Sequence, residues 1–266
     1  MVCVLGHVAR IVTATERGVD LTTQDKNGNT PLHLALNTGR VDVARKLIER
    51  SADLTAQNKN RNTPLHLTSY RGNVDVVRML IERGADLTAQ DKIRNSPLHL
   101  ASNRGQVNVA RMLIERGADL TAQDIFRNTP LHLPSNLGKV DVARVLIERG
   151  ADLTAQDKNG NTPLHLASNW GRVDVARVLI ERGADLIAQN NDGKTPLHLT
   201  SAPWVGISSQ KHVEFVRMLL EHGADVNAHS NDGSTPFTLA SQDGHTEVVH
   251  ILSQHGADSG ARDDVN

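Results

Sequence analysis

Six histidines recur at a fixed step of 33 residues, His33, His66, His99, His132, His165 and His198, and a row of imidazoles first suggests a metal centre. The spacing argues against one. Residues 33 apart fall in successive units of a stack, too distant to share an ion whose bonds are about 2 Å, and no pair stands at i, i+4 with an acidic neighbour. No metal and no cofactor is expected. Serine and threonine are plentiful, but the chain holds no GxSxG elbow, no phosphate loop ending GKS or GKT and no HExxH. Asn27-Gly28-Asn29-Thr30 reads as a turn followed by a helix cap, and no nucleophile is singled out with a partnering base. The sequence therefore reads as non-enzymatic. Cys3 is the lone cysteine, which rules out an internal disulfide and fits a reducing compartment, so the expected location is intracellular, in the cytoplasm or the nucleus.

What positions these histidines is a repeated unit. Each ends a tetrapeptide, Thr30-Pro31-Leu32-His33 and its copies at Thr63, Ser96, Thr129, Thr162 and Thr195. A self-similar unit of this length cannot bury its own apolar face, so neighbouring copies must stack. The copies starting at Asp25 and Asp157 differ at only five positions, which makes the pattern easy to read. The hydroxyl residue caps a short helix and proline sits in its first turn, where a missing N–H costs nothing. Gly39, Gly72, Gly105, Gly138 and Gly171 fall where that helix should stop. A second helix follows, as in Val74 to Arg83, with Val76, Val77, Leu80 and Ile81 on one face. On its other face Asp75, Arg78 and Glu82 are spaced for i, i+3 and i, i+4 ion pairs, as are Asp141, Arg144, Glu148 and Asp174, Arg177, Glu181. A polar stretch such as Ala85 to Lys92 joins one copy to the next and should project as a hairpin-like finger.

TPLHLA after a D-x-x-G turn, with GAD before the next finger, resembles the ankyrin repeat family along essentially the whole chain. The resemblance implies an all-α solenoid, a curved stack of helix-turn-helix units with short β-hairpin fingers. It also implies that the repeated histidine makes structural hydrogen bonds between neighbouring loops. Such arrays bind proteins through a concave side of fingers and first helices and perform no chemistry. The expected function is thus a protein-interaction scaffold or recognition module, with a regulatory arm of a larger enzyme or receptor as the alternative.

A single repeat domain spanning 1–266 is expected, with a partial N-terminal copy at 1–24 and repeats starting at Asp25, Asn58, Asp91, Asp124, Asp157, Asn190 and Ser230. The partial copy lacks TPLH, which reads as an array continuing upstream in a longer protein or as a degenerate cap. Residues 230–266 read as a capping repeat and polar tail, with Ser253 in place of the apolar residue found at Ile48 or Ile81. In the sixth repeat His198 to Val213 spans 15 residues against eight for His165 to Val173, an insertion at about 202–210 that carries Trp204 and Ile207 at a loop tip.

Because the framework barely varies, positions where copies disagree carry the information. Tyr70, Ile93, Ile125, Phe126, Leu137 and Trp170 are apolar where sister copies are mostly polar, and the whole chain has only six aromatic residues to place. Arg61, Arg94 and Arg127 replace the turn glycine of Gly28, Gly160, Gly193 and Gly233, so either the turn changes shape or arginine is kept for contacts. With Lys59, Lys92, Arg71 and Arg104 they form a basic strip, unless Asp91 and Asp124 neutralise it. The expected partner is a protein or peptide with an acidic stretch and hydrophobic anchors, bound by a monomeric domain. Lysine and arginine total 29 against 30 acids, a formal charge of -1 that gives no reason to expect nucleic acid, and no run of about 18 apolar residues suggests a membrane. Pro134 interrupts the fourth first helix and should kink or shorten it. Asn227 resembles the asparagine that hydroxylases modify in ankyrin arrays, although the other repeats carry threonine or isoleucine there.

Overall fold

The structure, a computed structural model, describes residues 20–201 and 209–258. The chain forms two compact units, Met1–Ile125 and Phe126–Asn266. Among the described residues of the first, six helices alternate between short first helices and longer second ones: α1 (Pro31–Asn37), α2 (Val41–Glu49), α3 (Pro64–Arg71), α4 (Val74–Glu82), α5 (Pro97–Arg104) and α6 (Val107–Glu115). Thr30, Thr63 and Ser96 cap the first helices, each accepting the backbone N–H of the histidine three residues on. Gly72 and Gly105 end α3 and α5 with φ of 82° and 74°, the left-handed conformation that a side chain resists.

Packing follows from the apolar faces. α1 lies on α3 and α3 on α5, while α2 lies on α4 and α4 on α6, giving one layer of first helices and one of second helices. Leu32, Leu65 and Leu98 fill the first layer, and Leu47, Leu80 and Leu113 the second, all at most 1% exposed. Each such leucine contributes about 1.5–3 kcal/mol by burial, so adjacency between copies is the source of stability.

The second unit repeats the plan with three local departures. Its helices are α7 (His132–Leu137), α8 (Val140–Glu148), α9 (Pro163–Asn169), α10 (Val173–Glu181), α11 (Pro196–Thr200), α12 (Ser209–Glu221), α13 (Pro236–Gln242) and α14 (Thr246–Gln254). α7 begins at His132, two residues later than the proline that opens its sister helices. Pro134 has no N–H to give the Pro130 carbonyl, so the first turn tightens instead, with the His132 N–H on the Thr129 carbonyl at 3.1 Å. Of the two expected outcomes, shortening is the one that occurs. α12 has 13 residues where the other second helices have nine, so the end of the insertion becomes extra helix. In the same repeat Phe215 is fully buried where sister copies place valine.

The fingers contain no β-ladder among the described residues. The fingers at Asp25, Asn58, Asp91, Asp157, Asn190 and Ser230 close on themselves, for example Asp91 N–H to the Asn95 carbonyl at 3.0 Å, and from the second finger on each gives one backbone bond to the finger before it. Lys59 N–H reaches Asn27 O at 2.9 Å and Lys92 N–H reaches Asn60 O at 2.8 Å. One bond per neighbour ties fingers together without building a sheet.

The charged face of the second helices also departs from expectation. Arg177 pairs with Glu214 of the next copy at 2.9 Å, and Arg182 with Glu148 of the previous one at 3.7 Å, in place of pairs within one helix. Both pairs are roughly half exposed and contribute little to stability. Among the described residues no helix is long and apolar enough to cross a membrane.

Candidate functional site

The histidine row turns out to be a latch between loops. His66 is buried; its Nδ1 receives the Thr63 hydroxyl at 2.8 Å and the Thr63 N–H at 3.2 Å, and its Nε2–H donates to the Asn95 carbonyl of the next finger at 3.0 Å. A carbonyl acceptor requires the proton on Nε2, which leaves Nδ1 as the acceptor. His33 does the same toward Asn62 at 2.8 Å in the first unit. In the second unit His132, His165 and His198 reach Asn161, Lys194 and Ser234 at 3.2, 2.9 and 3.1 Å. Burial pushes His33, His66, His165 and His198 below the ordinary imidazole range, so the neutral ring is the native form. With both nitrogens committed, these rings have no lone pair to offer a metal. No group of three or more His, Cys, Asp or Glu suited to a metal occurs among the described residues.

Latched in this way, the fingers present their turn residues outward. Arg61, Arg94 and Arg127 adopt φ of 60°, 64° and 63°, close to the 75° and 76° of Gly28 and Gly160. The turn keeps its shape, with Arg94 N–H on the Asp91 carbonyl at 3.0 Å as Gly160 N–H lies on Asp157 O at 3.1 Å. Arginine therefore sits in a conformation that disfavours a side chain by roughly 1–2 kcal/mol. Where glycine is kept in the second unit, the next finger uses the space: a Cβ on Gly160 would lie 2.7 Å from the Asn191 backbone nitrogen, and Asn191 Nδ2 donates to Lys158 O at 2.9 Å. Gly193 meets Asn231 in the same way.

In the first unit, the second and third fingers and first helices carry six exposed cations, Lys59, Arg61, Arg71, Lys92, Arg94 and Arg104. The segments 58–73 and 91–106 contain one acid, Asp91, and it does not neutralise them. Asp91 is 8% exposed, and its oxygens accept the N–H groups of Ile93 and Asn95 at 2.9 and 2.8 Å and the Asn95 side-chain amide at 3.1 Å. None of the six cations has an ion pair among the described residues. Arg71 donates to the Asn37 carbonyl. The Arg104 guanidinium lies over the Tyr70 ring, 4.4 Å from its centroid. Ile93 is exposed and Ile125 half-buried on adjacent fingers, joined by Ile125 N–H to Ile93 O at 3.0 Å.

In the second unit three exposed positions are apolar where sister copies are mostly polar. Phe126 is 53% exposed beside Arg127 at a finger tip, Trp170 is 51% exposed at the end of α9, and Leu137 is exposed at the end of α7. Leu137 lines a groove of about 270 Å³ together with Gly138, Gly171, Arg172, Lys211 and Glu214. Arg172 Nε donates to the Asn136 carbonyl at 2.9 Å. Trp204 and Ile207 lie outside the described residues. Ile187, 60% exposed, is the large apolar surface residue that the sequence reading leaves out. Its signal lay in the copies: Thr55, Thr88, Thr121 and Thr154 each donate a hydroxyl to the aspartate two residues earlier at 2.7 Å, and isoleucine cannot. Asn227 takes a structural part, its amide on Gly256 O at 3.2 Å and its oxygen on Asp258 N–H at 2.9 Å.

Comparison with known proteins agrees with this geometry. A family model described as ankyrin repeats (3 copies) matches residues 1–91, 55–124, 84–157 and 188–263, and a second, ankyrin repeats (many copies), matches 138–199. Among solved structures, an ankyrin repeat domain from Acinetobacter baumannii AYE is 29% identical, covers 73% of this chain and 98% of its own, and superposes with a TM-score of 0.67. No significant match is found among curated proteins.

Proposed function

The chain belongs to the ankyrin repeat family, whose repeats generally serve as protein-interaction modules, and from that premise we propose that it binds a protein or peptide partner through its finger tips and the ends of its first helices. One observation carries the reading. Most residues that break the repeat are exposed at those two positions, chiefly as cations with Tyr70 and Ile93 in the first unit and as Phe126, Arg127, Leu137 and Trp170 in the second. A partner bearing an acidic stretch and hydrophobic anchors matches this chemistry, the charges accelerating encounter and the buried aromatics supplying most of the affinity. On this reading the protein has no chemistry of its own, works inside the cell and acts as a monomer. The test is affinity capture with the wild type and with Phe126→Ala/Trp170→Ala, followed by titration of the captured protein. Loss of at least about 2 kcal/mol of binding energy is expected for removal of two hot-spot aromatics. Undiminished binding by the double variant overturns the assignment.

A further inference from the structure

Of the six first-unit cations, Arg104 is held differently from the rest. Tyr70 occupies a position that is asparagine in the sister copies, at Asn37, Asn103, Asn136 and Asn169, and its ring provides the platform beneath the Arg104 guanidinium. The equivalent Arg71 is consumed by the Asn37 carbonyl, while in the fifth repeat Arg172, at the position of Gln106, donates to Asn136 O. In the third repeat Gln106 meets that need instead, its amide reaching Tyr70 O at 3.4 Å. Arg104 is thereby left with the stacking contact and no hydrogen bond or ion pair from its guanidinium among the described residues. The ring beneath the guanidinium carbon restricts the side chain, while its N–H donors carry no hydrogen bond among the described residues. That is the arrangement that favours bidentate capture of an oxyanion over diffuse attraction. The one acid nearby in sequence, Asp91, is turned into its own loop and does not compete.

We propose that Arg104 seated on Tyr70 is the specificity-determining residue of the first unit, a preorganised receptor for a partner's glutamate or aspartate carboxylate, with Lys59, Arg61, Lys92 and Arg94 acting as unselective attraction around it. The proposal rests on the partner-binding reading above and sharpens it to one residue pair. The probes are a short synthetic peptide alternating glutamate with glycine and, separately, inorganic phosphate. Each is titrated at low salt into the full chain for wild type, Tyr70→Phe, Tyr70→Leu and Arg104→Lys, with affinity read from backbone amide NMR signals around residue 104 in all four, the Arg104 Nε–Hε signal followed in the three that keep arginine, and thermal unfolding of each as a folding control. Tyr70→Phe keeps the ring and should bind the peptide like wild type, whereas Tyr70→Leu and Arg104→Lys, which preserve the net charge, should each weaken it by about 3-fold. If Tyr70→Leu and Arg104→Lys bind like wild type, charge alone is at work: the receptor is wrong and the wider surface reading survives. If phosphate moves the Arg104 signal at lower concentration than the peptide does, the carboxylate assignment is wrong. If the peptide does not bind wild type, the acidic-partner reading falls as well.

Discussion

Arginine in a left-handed turn is the residue-scale signature of this protein, because it keeps a backbone conformation that glycine adopts without strain in sister copies. At Arg94 the glycine geometry is retained and the side chain is exposed without an ion partner among the described residues, so nothing within the fold repays the strain. Arg94→Gly should therefore stabilise the protein by about 1 kcal/mol in urea unfolding while weakening an acidic partner. A destabilised variant would mean that arginine is needed by the turn itself. The anomaly was readable in the sequence, since the glycine column stops at Arg61, Arg94 and Arg127; whether the turn changes shape was not, because φ follows from the finger-to-finger bonds. The Tyr70–Arg104 stack was illegible for a related reason. It joins two repeats through side-chain rotamers, and spacing along the chain says nothing about those.

At the scale of elements, the histidine latch sets a pH limit on the stack. Burial holds His33, His66, His165 and His198 below the ordinary value of 6.5, so the unfolded chain takes up protons before the native one does. Stability is complete above pH 6.5 and falls as the pH drops below it toward the depressed native values. A separate acid limb belongs to carboxylates such as Asp53, lowered by the Thr55 hydroxyl, and Asp232, lowered to about 2 mainly by the Ser230 hydroxyl; it sets in only below their ordinary 3.8. The urea midpoint should thus decline between pH 7.5 and 5.5, and a flat profile across that range would contradict the neutral-histidine latch. Helix starts and stops were legible, because Thr-Pro and glycine act locally through capping and φ. The shortening of α7 by Pro134 was one of two outcomes expected there, whereas two features were not legible: the extension of α12 into the insertion and the ion pairs that run between neighbouring second helices. Each depends on how competing local options are settled by a neighbour.

For the whole molecule, a formal charge of -1 conceals a local imbalance, because segments 58–73 and 91–106 carry six exposed cations without an ion pair among the described residues and a single acid, Asp91. Family and architecture were legible because the 33-residue period is strict, whereas the surface chemistry had to be read where the period fails, and its outward placement needed coordinates. The same separation makes the central claim measurable in one experiment, hydrogen–deuterium exchange of the full chain with and without its captured partner. Slowed exchange is expected in the finger and first-helix segments 58–71, 91–104, 124–137 and 157–170, with α4, α6, α8 and α10 unchanged. Protection confined to those second helices, with the finger segments unaffected, would contradict the claim that the fingers and first helices are the binding surface.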